Sequence, residues 1–332
     1  MICTMVEAVF PITYSTLCAE GLMSQTLPQY EIGAVVSCQF WCKGLSDVYL
    51  VETSTGLYVL RVTHAHWRSH DEVAFELDLL DFLRSNNLPI AYPLRTKTGT
   101  FLIPIQAPEG DRYASLFIYA PGEIPLGDLS GVQSHVLGET VARFHQAARD
   151  FSSSYIKPCL SADHLLADSL DAIAPFLLDR PQDLQYLTEA VVEVQTHLRD
   201  LPQEAPYWTV CWGDPHSGNV HFVDNSPTLF DFDQCGYGWR AFEVAKFCQV
   251  GLRGGISQQI RSAFLNGYQS VQPLESWELN SLRSFTQASH LWSWSIALVN
   301  AKLHDYSRLD YYFFNQRLEQ LKRLRSPDCH LF

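Results

Sequence analysis

Two segments bring polar, potentially reactive side chains close together in the chain: Val210-Cys-Trp-Gly-Asp-Pro-His-Ser-Gly-Asn-Val-His-Phe222 and Leu229-Phe-Asp-Phe-Asp-Gln-Cys-Gly236. Asn219 follows Asp214 by five positions, with Pro215 and Gly218 between them, so a short loop can turn back and aim both side chains at one point. Two apolar, β-like runs, Val220–Val223 and Thr228–Phe230, flank the turn residues Asp224-Asn-Ser-Pro227, and the hairpin they predict returns Asp231 to the side of Asn219. A carboxylate, an amide oxygen and a second carboxylate converging in this way are hard donors. They suit Mg²⁺, which keeps waters and binds substrate phosphates. Phosphoryl transfer assigns the three readily: Asp214 accepts the hydroxyl proton, and Asn219 and Asp231 hold the metal. Asp and Asn in Gly/Pro-containing loops are also ordinary turn formers, and D-x-x-x-x-N alone does not decide between the two readings. The joint occurrence of G-D-x-H-x-G-N, two strands and D-F-D-x-x-G favours the chemical one.

The rest of the chain divides into a β-rich and a helix-rich group of segments. Val35–Trp41, Val48–Thr53 and Leu57–Val62 read as strands, broken by Lys43-Gly44-Leu45-Ser46-Asp47 and by a Thr55-Gly56 hairpin turn. Alternation of Val48 and Leu50 against Tyr49 and Val51 predicts a half-buried sheet. Ser69-His-Asp-Glu72 is a capping-box pattern that starts a helix carrying Val73, Leu77, Leu80 and Leu83, which Asn86-Asn87 and Pro89 end. Gly99–Pro104 and Ala114–Tyr119 predict two more strands. After Ala120-Pro121-Gly122-Glu123 the pattern is mainly helical, beginning with a second capping box at Ser130-Gly-Val-Gln133. Helical periodicity recurs near 165–178, 183–199, 241–252, 256–269, 276–300 and 308–325. A short helix is expected around Thr16–Leu27. The division is therefore an N-terminal extension (1–30), a β-rich unit with one helix (31–119) and a helical unit carrying the chemistry (120–332), an α+β class.

Bulk properties narrow the function classes. The 332 residues are 47% hydrophobic and 13% aromatic, a well-cored globular chain. A net charge of −13 argues against a nucleic-acid partner, which needs a basic footprint, and is compatible with a cationic substrate. Nine scattered cysteines without a CxxC pair read as reduced thiols in a cytoplasm. The N-terminus lacks a signal-peptide pattern, and Leu291–Val299 is too short and polar-flanked to span a membrane, so no membrane partner is expected. His216 and His221 have no Cys or His partner at metal-site spacing, so zinc is not expected.

These motifs resemble the aminoglycoside phosphotransferase family, kinase-like small-molecule phosphotransferases that include choline, homoserine and fructosamine kinases. The family's H-G-D-x-H-x-G-N loop is matched by Trp212-Gly-Asp-Pro-His-Ser-Gly-Asn219 except at its first position, and its metal segment by Phe230-Asp231-Phe232 through Gly236. The resemblance implies a protein-kinase-like two-lobe fold, ATP and Mg²⁺ as cofactors, Asp214 as catalytic base, and Asn219 and Asp231 as metal ligands. It also implies that Gly44, Leu45 and Ser46 cover the ATP phosphates and that Arg61 takes the phosphate-contacting place usual for Lys, paired with Glu76; from the residues alone, Arg61 also reads as an exposed strand residue and Glu76 as part of a solvated helix face. Ile118 to Ala120 would form the adenine-contacting hinge. The partner implied is a small-molecule hydroxyl acceptor, with an amine-bearing one favoured by the acidic chain. Two departures stand out. Trp212 replaces a structural His with a donor-only indole, and Glu243 stands where many members have Asp. The rivals are a protein Ser/Thr kinase of the same fold and a nucleotide-binding pseudokinase acting as an interaction module. Trp292, Trp294 and Tyr311–Phe314 read as helical core packing rather than as an aromatic pocket.

Overall fold

The computed structural model describes residues 10–125 and 129–332. The chain folds as two compact units. One holds the residues up to His70 together with Pro93–Tyr119, and the other holds Asp71–Tyr92 and Ala120–Phe332.

The first unit opens with helical turns, α1 (Ala19–Gly21) continuing through Leu22–Gln29, and then builds a sheet. Strands β1 (Val35–Lys43), β2 (Ser46–Thr53) and β3 (Gly56–Thr63) form a meander. They are followed, after helix α2 (His70–Ser85) of the second unit, by β4 (Ile103–Ala107) and β5 (Gly110–Ile118). All neighbours pair antiparallel in the order β1-β2-β3-β5-β4. The expected alternation on β2 holds, with Tyr49 and Val51 fully buried against Leu60, Val62, Ala114 and Leu116. Leu22, Leu27, Tyr30 and Ile32 of the N-terminal turns cover that face. Beside the β1–β2 turn, Asp47 is buried and bonded by Arg112 (2.7 Å) and His64 (3.3 Å), so this turn grows from an ion-paired base. The fourth strand differs from expectation: it begins at Ile103 rather than Gly99. The Thr96 N–H bonds the Thr100 carbonyl (2.7 Å) and its hydroxyl accepts the Thr100 N–H (3.2 Å), closing a tight turn where a strand was expected.

The second unit is mainly helical. Helix α2 is followed by α3 (Gly131–Ala147), α4 (Asp168–Ile173) and α5 (Pro181–Leu198). Next come the short strands β6 (Trp208–Cys211), β7 (Val220–Val223), β8 (Ser226–Leu229) and β9 (Gly236–Trp239). Helices α6 (Arg240–Gly254), α7 (Gln258–Val271), α8 (Ser276–His304) and α9 (Tyr311–Arg325) complete the unit. The Ser130–Gln133 capping box forms reciprocally at the start of α3. Helices α3 and α7 approach backbone to backbone, because a Cβ on Gly138 would lie 2.1 Å from the Phe264 carbonyl oxygen. Helix α8 carries Trp292 and Trp294 inward, as expected of core, whereas Tyr311 and Tyr312 on α9 are exposed. Among the described residues no helix is long and apolar enough to cross a membrane.

On α8, His290 is buried and its Nε2 donates to the Arg317 carbonyl (2.9 Å). Burial, reinforced by Arg317, Arg253 and Lys246, pushes its pKa down to about 3. The native state therefore binds fewer protons than the unfolded chain below the ordinary histidine pKa, and stability falls as pH drops through that window. Between pH 7 and pH 5 the wild type should lose up to about 2 kcal/mol more than His290→Gln, at about 1.4 kcal/mol per pH unit below 6.5. Urea unfolding at the two pH values checks this, and equal losses would contradict it.

Candidate active site

Two short ladders hold the chemistry-bearing segments side by side. Strand β6 pairs with β9, Cys211 opposite Gly236, while β7 and β8 form the expected hairpin, Val220 opposite Leu229. The loop 212–219 leaves β6 and enters β7, and the segment 230–235 leaves β8 and enters β9. Both loops are thus strung between the same two ladders. The Phe230 N–H bonds the Asn219 carbonyl (3.0 Å), which extends the hairpin by one pair and places Asp231 directly after it.

Asp214 sits among donors. Its Oδ2 lies 3.3 Å from His216 Nε2, 3.3 Å from Gln234 Nε2 and 3.4 Å from Asn219 Nδ2. The His216 ring caps the single 3₁₀ turn Ser217–Asn219, its Nδ1 accepting the Gly218 N–H (2.9 Å). That bond leaves the proton of a neutral ring on Nε2, facing Asp214. The other carboxylate oxygen, Oδ1, faces Lys246 Nζ at 3.4 Å. Burial alone would raise the Asp214 carboxyl, but Lys246 and His216 outweigh it and hold the group well below the usual carboxylate range. Asn219 is buried and spends its Nδ2 on the Asp214 carbonyl (3.1 Å) and carboxylate, so its amide oxygen is the side-chain group left for a cation.

Asp231 is exposed and adopts a left-handed backbone, φ 58°. Such a conformation is costly for a non-glycine residue unless its surroundings enforce it. The enforcing group is Trp212. Its buried indole N–H donates to the carbonyls of both Phe230 (3.0 Å) and Asp231 (2.9 Å), the two peptide oxygens that bracket Asp231. The indole also stacks on Phe232, with ring centroids 5.5 Å apart. The departure at position 212 is therefore compatible with loop support, because the partners here are acceptors and the indole is a donor.

Glu243, fully buried on α6, supports the loop from beneath. Its two carboxylate oxygens accept the N–H groups of Trp212 and Gly213 (3.0 Å for the latter). His145 Nε2 lies 3.4 Å from the same carboxylate and its Nδ1 lies 2.8 Å from the Tyr268 hydroxyl. With Cys211, these residues form a buried His–Cys–Glu group, yet Glu243 is engaged by backbone amides and His145 by Tyr268, so we read the group as scaffold. Gly213 has φ 89°, and a Cβ there would lie 2.2 Å from the Gln234 carbonyl oxygen, so only glycine lets the two loops touch. Lys157 adds a further tie, its Nζ donating to the Asp233 carbonyl (2.7 Å).

Gly44 and Leu45 form the β1–β2 turn and Ser46 opens β2, with the Gly44 N–H bonded to the Ser46 carbonyl (3.0 Å). Arg61 is half-buried on β3, its guanidinium over the Phe117 ring at 4.9 Å. Glu76 is buried on α2, which removes the solvated-face alternative. Ile118 ends β5, and the Ala120 carbonyl accepts from His221 Nδ1 (2.7 Å), so His221 serves the chain after β5. Sequence reasoning missed Lys246 and Lys157. The available signal for Lys246 was a lone lysine inside the largely apolar helical run Ala241–Val250, since lysine is almost never fully buried without a partner.

Residues 43–285 match the phosphotransferase enzyme family that includes the aminoglycoside phosphotransferases. The chain belongs to this family. It is 50% identical over 324 residues to the uncharacterized protein sll1119 of Synechocystis sp., covering 97% of this chain and 90% of that one. The amicoumacin kinase hAmiN, solved with AMP-PNP, Ca²⁺ and Ami, superposes with a TM-score of 0.78 at 20% identity over 92% of each chain. A microcompartment-associated aminopropanol kinase superposes at 0.73 and 19% identity, over 91% of this chain and 94% of that one. At these identities the likeness shows the fold, which is kinase-like. This family member is a phosphotransferase enzyme, of the α+β class expected.

Replacing Trp212 by Phe leaves the stack on Phe232 but strips the donor from two carbonyls. Trp212→Phe should lower stability by about 1–3 kcal/mol, the cost of leaving buried polar groups unpaired. Urea unfolding measures it, and a change under about 0.5 kcal/mol would show that the indole bonds do not hold the Asp231 turn.

Proposed function

We propose that this phosphotransferase moves the γ-phosphoryl group of ATP, with Mg²⁺, to a hydroxyl of a small molecule. The observation that carries the reading is the Asp214 carboxylate, fixed on Oδ2 by three donors and facing Lys246 on Oδ1, with Asn219 at its side. Asp214 accepts the proton of the acceptor hydroxyl as that oxygen bonds to the γ-phosphorus and the bond to the β–γ bridging oxygen breaks, leaving ADP. A carboxylate held this far toward its ionised form is a weak base. That suits a loose transition state, in which the hydroxyl becomes acidic only as it bonds to phosphorus. Orientation is then the larger contribution.

The Asn219 amide oxygen and the exposed Asp231 carboxylate are the donors that would hold the metal, and both are hard oxygens of the kind Mg²⁺ prefers. Bound there, the ion would supply neutralisation of phosphate charge. Gly44, Leu45 and Ser46 are assigned to the triphosphate, Arg61 to its oxygens, Glu76 to the support of nucleotide binding, and Ile118 and Ala120 to adenine. The net charge of −13 supports an amine-bearing acceptor.

The test is ADP release from Mg-ATP with a panel of amino alcohols, aminoglycosides, homoserine and ketosamines. At least one acceptor should stimulate release, and Asp214→Asn should lower kcat by about 10²–10⁴-fold, the usual contribution of general-base catalysis. An Asp214→Asn enzyme with near-wild-type turnover would refute the assignment of the base.

A further inference from the structure

Lys246 is 2% exposed, in the middle of helix α6. A buried ammonium is costly unless paired and hydrogen-bonded, and this one has three neighbours. Its Nζ donates to the Ser293 hydroxyl at 2.7 Å, lies 3.4 Å from Asp214 Oδ1 and sits 5.1 Å from the Trp292 ring centroid. Ser293 and Trp292 are adjacent residues of α8. The ammonium is therefore a joint between helix α8 and the carboxylate.

The two oxygens of that carboxylate are not equivalent. His216, Gln234 and Asn219 all address Oδ2, and each belongs to one of the two site loops. Oδ1 faces Lys246 instead, a residue of neither loop. Three donors on one oxygen make it the held one. The other is left to take a proton, and Lys246 governs where it points.

We infer that Lys246, seated on Ser293 and Trp292, is a positioning residue that orients Asp214 so that Oδ1 is the proton-accepting oxygen. The inference rests on Asp214 being the base. It adds that the orientation of the base is set from α8, through one lysine that lies outside both loop motifs. Met at this position fills the same volume without the charge and can be buried without penalty. Arg keeps the charge with a different reach.

Crystal structures of Lys246→Met and Ser293→Ala, with no ligand needed, should show the Asp214 carboxylate rotated from its wild-type position in the first and shifted less in the second. In ADP release from Mg-ATP with the stimulating acceptor of the panel, Lys246→Met should lower kcat by about 10²-fold, the cost of misplacing a reacting group by about 1 Å. The KM for ATP should stay within about threefold, since the lysine acts on the transfer step rather than on nucleotide binding. Lys246→Arg should recover about tenfold of the loss, and Ser293→Ala should lose about three- to tenfold. The inference is overturned if Lys246→Met keeps Asp214 in place and kcat within about twofold of wild type. It is equally overturned if kcat and ATP KM worsen together and Arg does no better than Met. A wild type that releases no ADP with any acceptor, or an Asp214→Asn enzyme that still turns over, counts against the proposed function instead, and the crystallographic comparison still decides the role of Lys246.

Discussion

A fully buried carboxylate must have its oxygens satisfied, and those of Glu243 are satisfied by the amides of Trp212 and Gly213. This is the constraint from which the site is built. Two consecutive N–H groups aimed at one carboxylate fix the two peptide planes that lead into Gly213, the residue before Asp214. Glycine at 213 permits the turn that results, and the Gln234 carbonyl then closes against it. Behind Glu243 stand His145 and Tyr268, from helices α3 and α7. The start of the loop is thus referenced to three helices of one unit rather than to its own sequence.

From that anchor the rest of the site follows by short links. Trp212 faces two ways: its backbone N–H is tied to Glu243 and its indole N–H to the peptide oxygens flanking Asp231. One residue therefore transmits the position of α6 to both loops. Asp231 keeps a left-handed backbone that presents its carboxylate outward, and the indole supplies the restraint that such a conformation requires. Asp214 gathers donors from its own loop, from the neighbouring segment and from α6. Helix α6 so contributes twice, one carboxylate beneath the loop and one ammonium beside Asp214, on residues three positions apart that share a helix face.

Much of this was legible in the sequence because it is local. Pro215 and Gly218 make the loop turn, Asp224 tolerates the positive φ at the tip of the β7–β8 hairpin, and the Ser130–Gln133 box starts α3 where the pattern places it. The contacts that were not legible are tertiary. Lys246 lies far along the chain from Asp214, and the apolar run around it signals burial without showing which group it meets. The identity of Trp212 showed a donor, but only the fold shows that two carbonyls wait for it. Glu76 could be read as exposed or buried from helical spacing alone, and burial on α2 decides it. The displaced start of β4 has a different cause: Thr96 and Thr100 bond each other locally and outcompete extension of the strand.

In the proposed reaction the amide oxygen of Asn219 and the carboxylate of Asp231 would share one magnesium ion at the terminal phosphate, beside Asp214. A crystal structure with Mg²⁺ and a non-hydrolysable ATP analogue tests it most directly. Such a structure should show an ion with both oxygens at about 2.0–2.1 Å, the Mg²⁺ coordination distance, and phosphate oxygens among its remaining ligands. Nucleotide bound with its metal held by other residues, and with Asn219 and Asp231 turned away from it, would rule out this metal site.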